Sequence, residues 1–190
     1  MHIEIEAKLK VDSLGQVAAK LSELGAEFGQ EQLQTDYHFD NADMTLQKTD
    51  RCLRLRRQLA NGSERFFLTY KGAKEKSSFK KRQEIEIEIS DNESIRKLFT
   101  ALGYEKTLVI EKKRLTWRLG DCEVALDELP LIGSFVEIEG PDEKKIEDVQ
   151  KKLGLSKLPH IKKSYAGLLK DRLSELGKEQ KELYLSNSNV

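Results

Sequence analysis

The sequence predicts an α+β fold: a closed, eight-stranded antiparallel β-barrel with helices packed on its outside. Two regularities point there. Segments of strict apolar–polar alternation recur eight times, and one-sided helical patterns separate some of them. A third regularity, charge concentrated on one row of those strands, bears on what the barrel encloses. The 190 residues fall within the range of a single domain, with 1–175 carrying the barrel and 176–190 reading as a polar, frayed tail.

Alternation marks a first strand at Ile3–Leu9, after which Leu14, Val17, Leu21 and Leu24 follow at helical spacing, with Asp12 or Ser13 as cap and Gly25 as stop. Strands at Leu33–Phe39, Cys52–Gln58, Arg65–Lys71 and Arg82–Ile89 come next. Ser90 and Glu93 have capping-box spacing ahead of a helix through Ile95, Leu98, Phe99 and Leu102, stopped by Gly103. Leu108–Arg118, Glu123–Asp127 and Phe135–Glu139 complete the strands, and a helix through Ile146, Val149 and Leu153 stops at Gly154. A last helical stretch covers roughly 161–176. Glu4-x-Glu6, Glu84-x-Glu86 and Glu137-x-Glu139 each lie on a strand followed by a helix ending in Leu-Gly, a weak internal repeat.

Successive side chains of a strand point to opposite faces, so each segment sorts into two rows. Glu4, Glu6 and Lys8 oppose Ile3, Ile5 and Leu9, and Arg54 and Arg56 oppose Leu53 and Leu55. Arg82, Glu84, Glu86 and Glu88 oppose Ile85, Ile87 and Ile89, and the later strands repeat the pattern with Lys112, Arg114, Asp127, Glu137 and Glu139; Lys71 completes the basic set. The apolar rows need cover, which the helices can supply. If the sheet closes, the charged rows meet across a bore. The rival geometry is an open sheet with helices on one face and a solvated charged face on the other. Composition favours the bore. Like charges about 7 Å apart on one face repel unless opposite charges or ions intervene.

Carboxylates from one strand, joined by others from across a barrel, supply the oxygen ligands that Mg²⁺ or Mn²⁺ prefers. Arg and Lys at several heights suit the oxygens of a polyphosphate, with Arg forming forked contacts. A ligand carrying about four negative charges matches this cation inventory better than a monophosphate does. No Walker A segment, GxSxG elbow or HExxH helix occurs, and phosphoryl or nucleotidyl transfer needs no side-chain nucleophile.

Lys+Arg and Asp+Glu balance at 33 each, which argues against a nucleic-acid binder held by a general basic surface. Cys52 and Cys122 lack metal-site or disulfide spacing, and no segment approaches the roughly 18 apolar residues of a membrane span. A cytoplasmic protein without membrane or nucleic-acid partners is expected. His2, His38 and His160 read as surface histidines, Trp117 as a core residue, and Arg51 and Arg57 as surface residues. Lys74, Glu75, Lys76, Lys80 and Lys81 form a charged loop, either merely solvated or flanking the mouth of a tunnel.

Over about residues 2–170 the chain resembles the CYTH superfamily, the triphosphate tunnel metalloenzymes that include class IV, CyaB-type adenylyl cyclases and thiamine triphosphatases. The resemblance rests on ExExK at Glu4–Lys8, followed in order by QTDYHFD (Gln34–Asp40), LRLR (Leu53–Arg56), TYKG (Thr69–Gly72), RQEIEIE (Arg82–Glu88), EKKR (Glu111–Arg114), LDEL (Leu126–Leu129), FVEIEG (Phe135–Gly140) and KSY (Lys163–Tyr165). It implies metal binding by Glu4, Glu6, Asp127, Glu137 and Glu139, with Glu84 near a second metal. It also implies phosphate binding by Lys8, Arg54, Arg56, Lys71, Arg82, Lys112, Arg114 and Lys163. Glu4, Glu6, Lys8 and Arg114 are the expected catalytic groups, and a homodimer is a further implication. The CyaB-like branch is nearest, so cyclisation of ATP to cyclic AMP and pyrophosphate leads. Hydrolysis of tripolyphosphate or thiamine triphosphate, and non-catalytic binding of polyphosphate or nucleotide, are the alternatives.

Overall fold

The computed structural model describes residues 2–185. In chain order the elements are β1 (His2–Lys10), α1 (Leu14–Glu23), β2 (Glu27–Asn41), α2 (Thr45–Lys48), β3 (Cys52–Ala60), β4 (Ser63–Lys71) and β5 (Lys80–Ile89). Then follow α3 (Asn92–Ala101), β6 (Tyr104–Leu119), β7 (Cys122–Leu129), β8 (Gly133–Glu139), α4 (Glu143–Lys152), α5 (Tyr165–Glu175) and β9 (Glu182–Leu183). All eight predicted strands are present, several of them longer at their ends than the alternation alone marks.

Antiparallel neighbours run β2-β3-β4-β5-β1-β8-β7-β6, and β6 pairs back onto β2, closing the barrel. The β2–β6 seam extends from Glu27↔Arg118 to Asn41↔Tyr104, with irregularities at Phe28/Glu31 and at His38/Phe39. Such bulges bend a long strand pair, as closure requires. The open-sheet alternative is thereby excluded.

Three apolar clusters hold the helices. Val17 and Leu21 of α1 and Ile146 and Val149 of α4 pack over Ala7, Val124, Leu126, Val136 and Ile138 on the outward rows of β1, β7 and β8. Phe99 of α3 meets Phe39 and Leu55, its ring centroid 4.9 Å from that of Phe39. Leu169 and Leu173 of α5 pack with Leu108, Ile110, Leu129 and Phe135. Those four continue the rows of Lys112, Asp127 and Glu137, so the inward rows turn apolar at one end of the barrel and α5 lies against that end.

The expected cap holds at α1 and shifts at α3. Ser13 caps α1 by accepting from the Gln16 N–H. Asp91, not Ser90, caps α3, accepting from the Ser94 N–H, because the helix begins one residue later than the capping-box spacing suggested. Short helix α2 carried no periodic signal. The tail is docked as far as it is described: β9 runs parallel to β6 with Leu183 buried, and 186–190 lie outside the described residues. Helix cover is also incomplete, because Ile3, Ile85 and Ile87 on the outer rows of β1 and β5 are about half exposed.

Ile146 is fully buried, so Ile146→Ala should cost about 2–5 kcal/mol in denaturant unfolding. Ile87→Ser, on the uncovered row, should stay within about 0.5 kcal/mol.

Candidate active site

The barrel encloses a cavity of about 840 Å³. Its walls are the polar rows of the strands: Glu4, Glu6 and Lys8 from β1, Arg54 and Arg56 from β3, Lys80, Arg82 and Glu84 from β5, Lys112 and Arg114 from β6, and Glu137 and Glu139 from β8. Glu4, Glu6, Lys8, Arg56, Lys80, Arg82 and Lys112 are each at most 9% exposed, far below what charged side chains ordinarily accept.

Cross-strand pairing makes that burial tolerable. Arg56 forks onto Asp36, Nε to Oδ1 at 2.6 Å and Nη2 to Oδ2 at 2.8 Å, while Arg54 lies 3.5 Å from the same carboxylate. Arg114 forks onto Asp127 with both contacts at 2.6 Å and reaches Glu137 at 2.5 Å. The Lys71 ammonium donates to Glu4 and to Glu84, each at 2.8 Å; Lys80 donates to Glu6 at 2.6 Å, and Lys8 lies 3.2 Å from Glu137. Each sign of charge lies within reach of the other on the next strand or the next but one.

The balance is uneven along the walls, and the proton affinities follow it. Burial, together with the nearby Glu137 and Glu4, raises the Glu6 carboxyl above its ordinary range despite Lys80. Burial would raise Asp36 too, but Arg56 and Arg54 outweigh it and hold that carboxyl well below the usual range. Lys112 is pushed down to about 7 by burial and by the neighbouring Arg114, against the pull of Asp127. Glu4 keeps one buried oxygen, Oε2, with no hydrogen-bond partner.

The expected site residues converge, with three qualifications. Asp127 is fully buried beneath the wall, where it accepts from Lys112, Arg114 and, at 2.8 Å, the Tyr165 hydroxyl; its lone pairs position cations. Arg82 spends Nε on the Gly72 carbonyl at 2.9 Å and Nη2 on the Asp50 carbonyl at 2.7 Å, so it pins the loops flanking β3 and β5. The Lys163 ammonium is half exposed at the rim and paired with Asp171, and it is the Lys163 carbonyl that accepts from Lys8, at 3.2 Å.

Sequence reasoning missed several wall residues. Lys80, assigned to a charged loop, begins β5 and faces inward two residues before Arg82; the same parity that found Arg82 could have found it. Asp36 shares a row with Gln34 and His38 and carried the same signal. His38 is no surface histidine: it lines the cavity, with Nδ1 3.5 Å from the Cys52 thiol. Arg51, exposed as expected, also borders the cavity. Trp117 sits against the α1 and α4 cluster, as a core residue should.

As hard oxygen donors the wall carboxylates suit Mg²⁺ or Mn²⁺, and the unpartnered Glu4 oxygen is a position such an ion satisfies. Among the described residues, though, no three His, Cys, Asp or Glu side chains already stand together as a ligand set, because Lys71, Lys80, Lys8 and Arg114 lie between the carboxylates.

The depressed Lys112 pKa has a definite sign. Its cation costs folding stability in full below about pH 7, and that cost fades as pH rises toward the ordinary lysine value. A polyanion in the cavity restores the charged form, so tripolyphosphate binding at about pH 8 should take up close to one proton, and less as pH falls to about 6. Calorimetry in buffers of different ionisation enthalpy measures this, and Lys112→Met should abolish the uptake.

Comparison with known proteins agrees with this geometry. The sequence pattern of the CYTH domain matches residues 2–165. A Methanocaldococcus jannaschii protein named "Putative adenylate cyclase" is 35% identical over 179 residues, covering 87% of this chain and 98% of that protein. The solved structure of the PH1819 protein of Pyrococcus horikoshii superposes with a TM-score of 0.78 at 30% identity, covering 89% of this chain and 99% of that one. A Hippeastrum protein, described as a "putative adenylyl cyclase" that reveals a dominant triphosphatase activity, shares the fold at 17% identity and a TM-score of 0.65, covering 93% of this chain and 97% of its own. With its barrel closed around buried charge and the pattern matched from β1 to the start of α5, this chain belongs to the CYTH domain family.

Proposed function

We propose that the chain is a divalent-metal-dependent enzyme acting on a triphosphate, and that its reaction is the cyclisation of ATP to cyclic AMP and pyrophosphate. The observation that carries the reading is the belt of buried Arg and Lys interleaved with carboxylates around a cavity of about 840 Å³, a volume suited to a nucleotide. The name of the Methanocaldococcus jannaschii relative supports cyclisation in particular.

In this reading Glu4, Glu6, Glu137 and Glu139, with Glu84 beside them, hold Mg²⁺ or Mn²⁺. The bound metal supplies charge neutralisation and Lewis acidity toward phosphate oxygens. Arg54, Arg56, Lys71, Lys80, Lys112 and Arg114 exchange part of their carboxylate pairing for phosphate oxygens, a swap that keeps every charge matched. Asp127 and Asp36 keep the guanidinium planes of Arg114 and Arg56 aimed through their forked contacts. Burial of the wall charges strengthens each of these contacts where negative charge shifts toward the leaving pyrophosphate. Attack by the ribose 3′-oxygen on the α-phosphorus, with the hydroxyl proton released to solvent, then breaks the bond from that phosphorus to the bridging oxygen, and pyrophosphate leaves without a covalent enzyme intermediate.

A second reading, hydrolysis of tripolyphosphate or thiamine triphosphate, draws on the same belt, which grips a phosphate chain whatever nucleophile arrives. The activity described for the Hippeastrum protein that shares this fold is of that kind.

Incubation with ATP and Mg²⁺ or Mn²⁺ should yield cyclic AMP and pyrophosphate, with chelation abolishing turnover and Glu6→Ala lowering it by at least about a hundredfold. Phosphate release from tripolyphosphate or thiamine triphosphate with no cyclic nucleotide selects the hydrolase. Binding without turnover across all metals and substrates refutes catalysis.

A further inference from the structure

One stretch of the wall is built differently from the rest. Along the inward row of β2 the residues run Gln30, Gln32, Gln34, Asp36 and His38, and Gln58 of β3 stands opposite Gln34 just as Arg56 stands opposite Asp36. Along β2 and β3 ionic side chains therefore give way to amides toward the N-terminal end of β2, while Lys112 and Arg114 of β6 stand beside Gln34 and Gln32. That is the end away from α5, because His38 pairs with Leu108 and Gln34 with Lys112. Gln32, Gln34 and Gln58 are 6%, 2% and 9% exposed, so these amides are part of the built wall.

Their hydrogen bonds are incomplete. Gln34 Nε2 donates to Gln32 Oε1 at 2.5 Å and to Gln58 Oε1 at 3.3 Å, which uses both of its protons. Gln34 Oε1 is buried and accepts nothing. A buried amide oxygen without a donor is a standing cost, which a ligand N–H can relieve. Phosphate oxygens cannot do so, since they only accept. The missing partner is a group that donates, and with Lys112 beside Gln34 and Arg114 beside Gln32 a neutral donor adds no further like charge.

We propose that this amide end of the cavity is the subsite for the organic part of the substrate, and that Gln34 Oε1 accepts a hydrogen bond from the exocyclic amine of a nucleobase. Gln32 and Gln58 hold the Gln34 amide in that orientation. The proposal rests on the triphosphate reading and deepens it, assigning the phosphate chain to the ionic belt and an amino-bearing base to the amides. A site built around a substrate N–H discriminates against an analogue lacking it, because its own acceptor is then stranded.

The test uses ATP, ITP and tripolyphosphate in Mg²⁺, with dissociation constants from calorimetry on the wild-type protein, on Gln34→Met and on Gln58→Leu. ITP differs from ATP in carrying a carbonyl where the amine stands. Wild-type protein should bind ATP about tenfold more tightly than ITP. Gln34→Met should bring that ratio to about one, and Gln58→Leu should reduce it, while the tripolyphosphate constant moves less than about threefold. Equal wild-type affinities for ATP and ITP overturn the proposal while tight tripolyphosphate binding leaves the triphosphate reading standing. An ATP preference that survives both substitutions overturns it in the same way. A uniform loss for all three ligands in the variants assigns the amides to the integrity of the barrel and also overturns it. Failure of all three ligands to bind the wild-type protein removes both readings together.

Discussion

The structure depends on one electrostatic condition: cations and carboxylates taken out of water inside the barrel must find each other across strands. An ion buried without a partner costs several kcal/mol, and this barrel interior holds many. Forked contacts such as Arg56 on Asp36 and Arg114 on Asp127 meet the condition most completely, using both oxygens of one carboxylate for one guanidinium. Lysines meet it by bridging, as Lys71 does between Glu4 and Glu84. Such an interior carries little apolar packing of its own. Most of the hydrophobic stabilisation of the fold therefore lies outside the strands, where α1, α4 and α3 cover the outward rows, and the rest where α5 packs on the apolar ends of the inward rows.

Closure makes the condition possible. The β2–β6 seam joins the two halves of the sheet, bringing Lys112 beside Gln34 and Arg114 beside Gln32. In an open sheet those side chains would be solvated and their proton affinities ordinary. Inside the barrel burial dominates, and neighbours decide the outcome: Lys112, crowded by Arg114, loses proton affinity, whereas Asp36, flanked by Arg54 and Arg56, holds its charge. The wall also has a direction. Along β2 and β3 it passes from ionic pairs to amides, and the inward rows of β6, β7 and β8 turn apolar against α5. A substrate with a polyanionic chain and a neutral polar head is asymmetric in the same sense.

Ion pairs of this kind are exchangeable, which connects the resting structure to its chemistry. Swapping a carboxylate for a phosphate oxygen leaves the count of charged hydrogen bonds nearly unchanged, so a polyanion can enter without stranding a cation. Groups that cannot exchange serve another purpose. Asp127, fully buried and bonded to Lys112, Arg114 and Tyr165, fixes the position of side chains that can. Arg82, satisfied by two backbone carbonyls, holds loops at the cavity's edge.

Alternation in the sequence by itself determined which face each strand turns inward, because side-chain parity is a property of the extended backbone and needs no partner. The eight strands and most of the ionic wall follow from it, while the helices that cover them are legible in their own apolar spacing and glycine stops; Asp91 shows that a cap can still slip by one residue. Parity could also have placed Lys80 and Asp36, but each lay beyond the recognised limits of a strand or within a mixed run. Tertiary structure alone decided the heights and partners of these groups. Strand stagger in a closed barrel sets which residue of one strand stands beside which residue of the next, and no single strand records it. For that reason Asp127 lies beneath the wall and not on it, His38 meets Cys52, and four glutamines gather on the β2 and β3 side of the cavity.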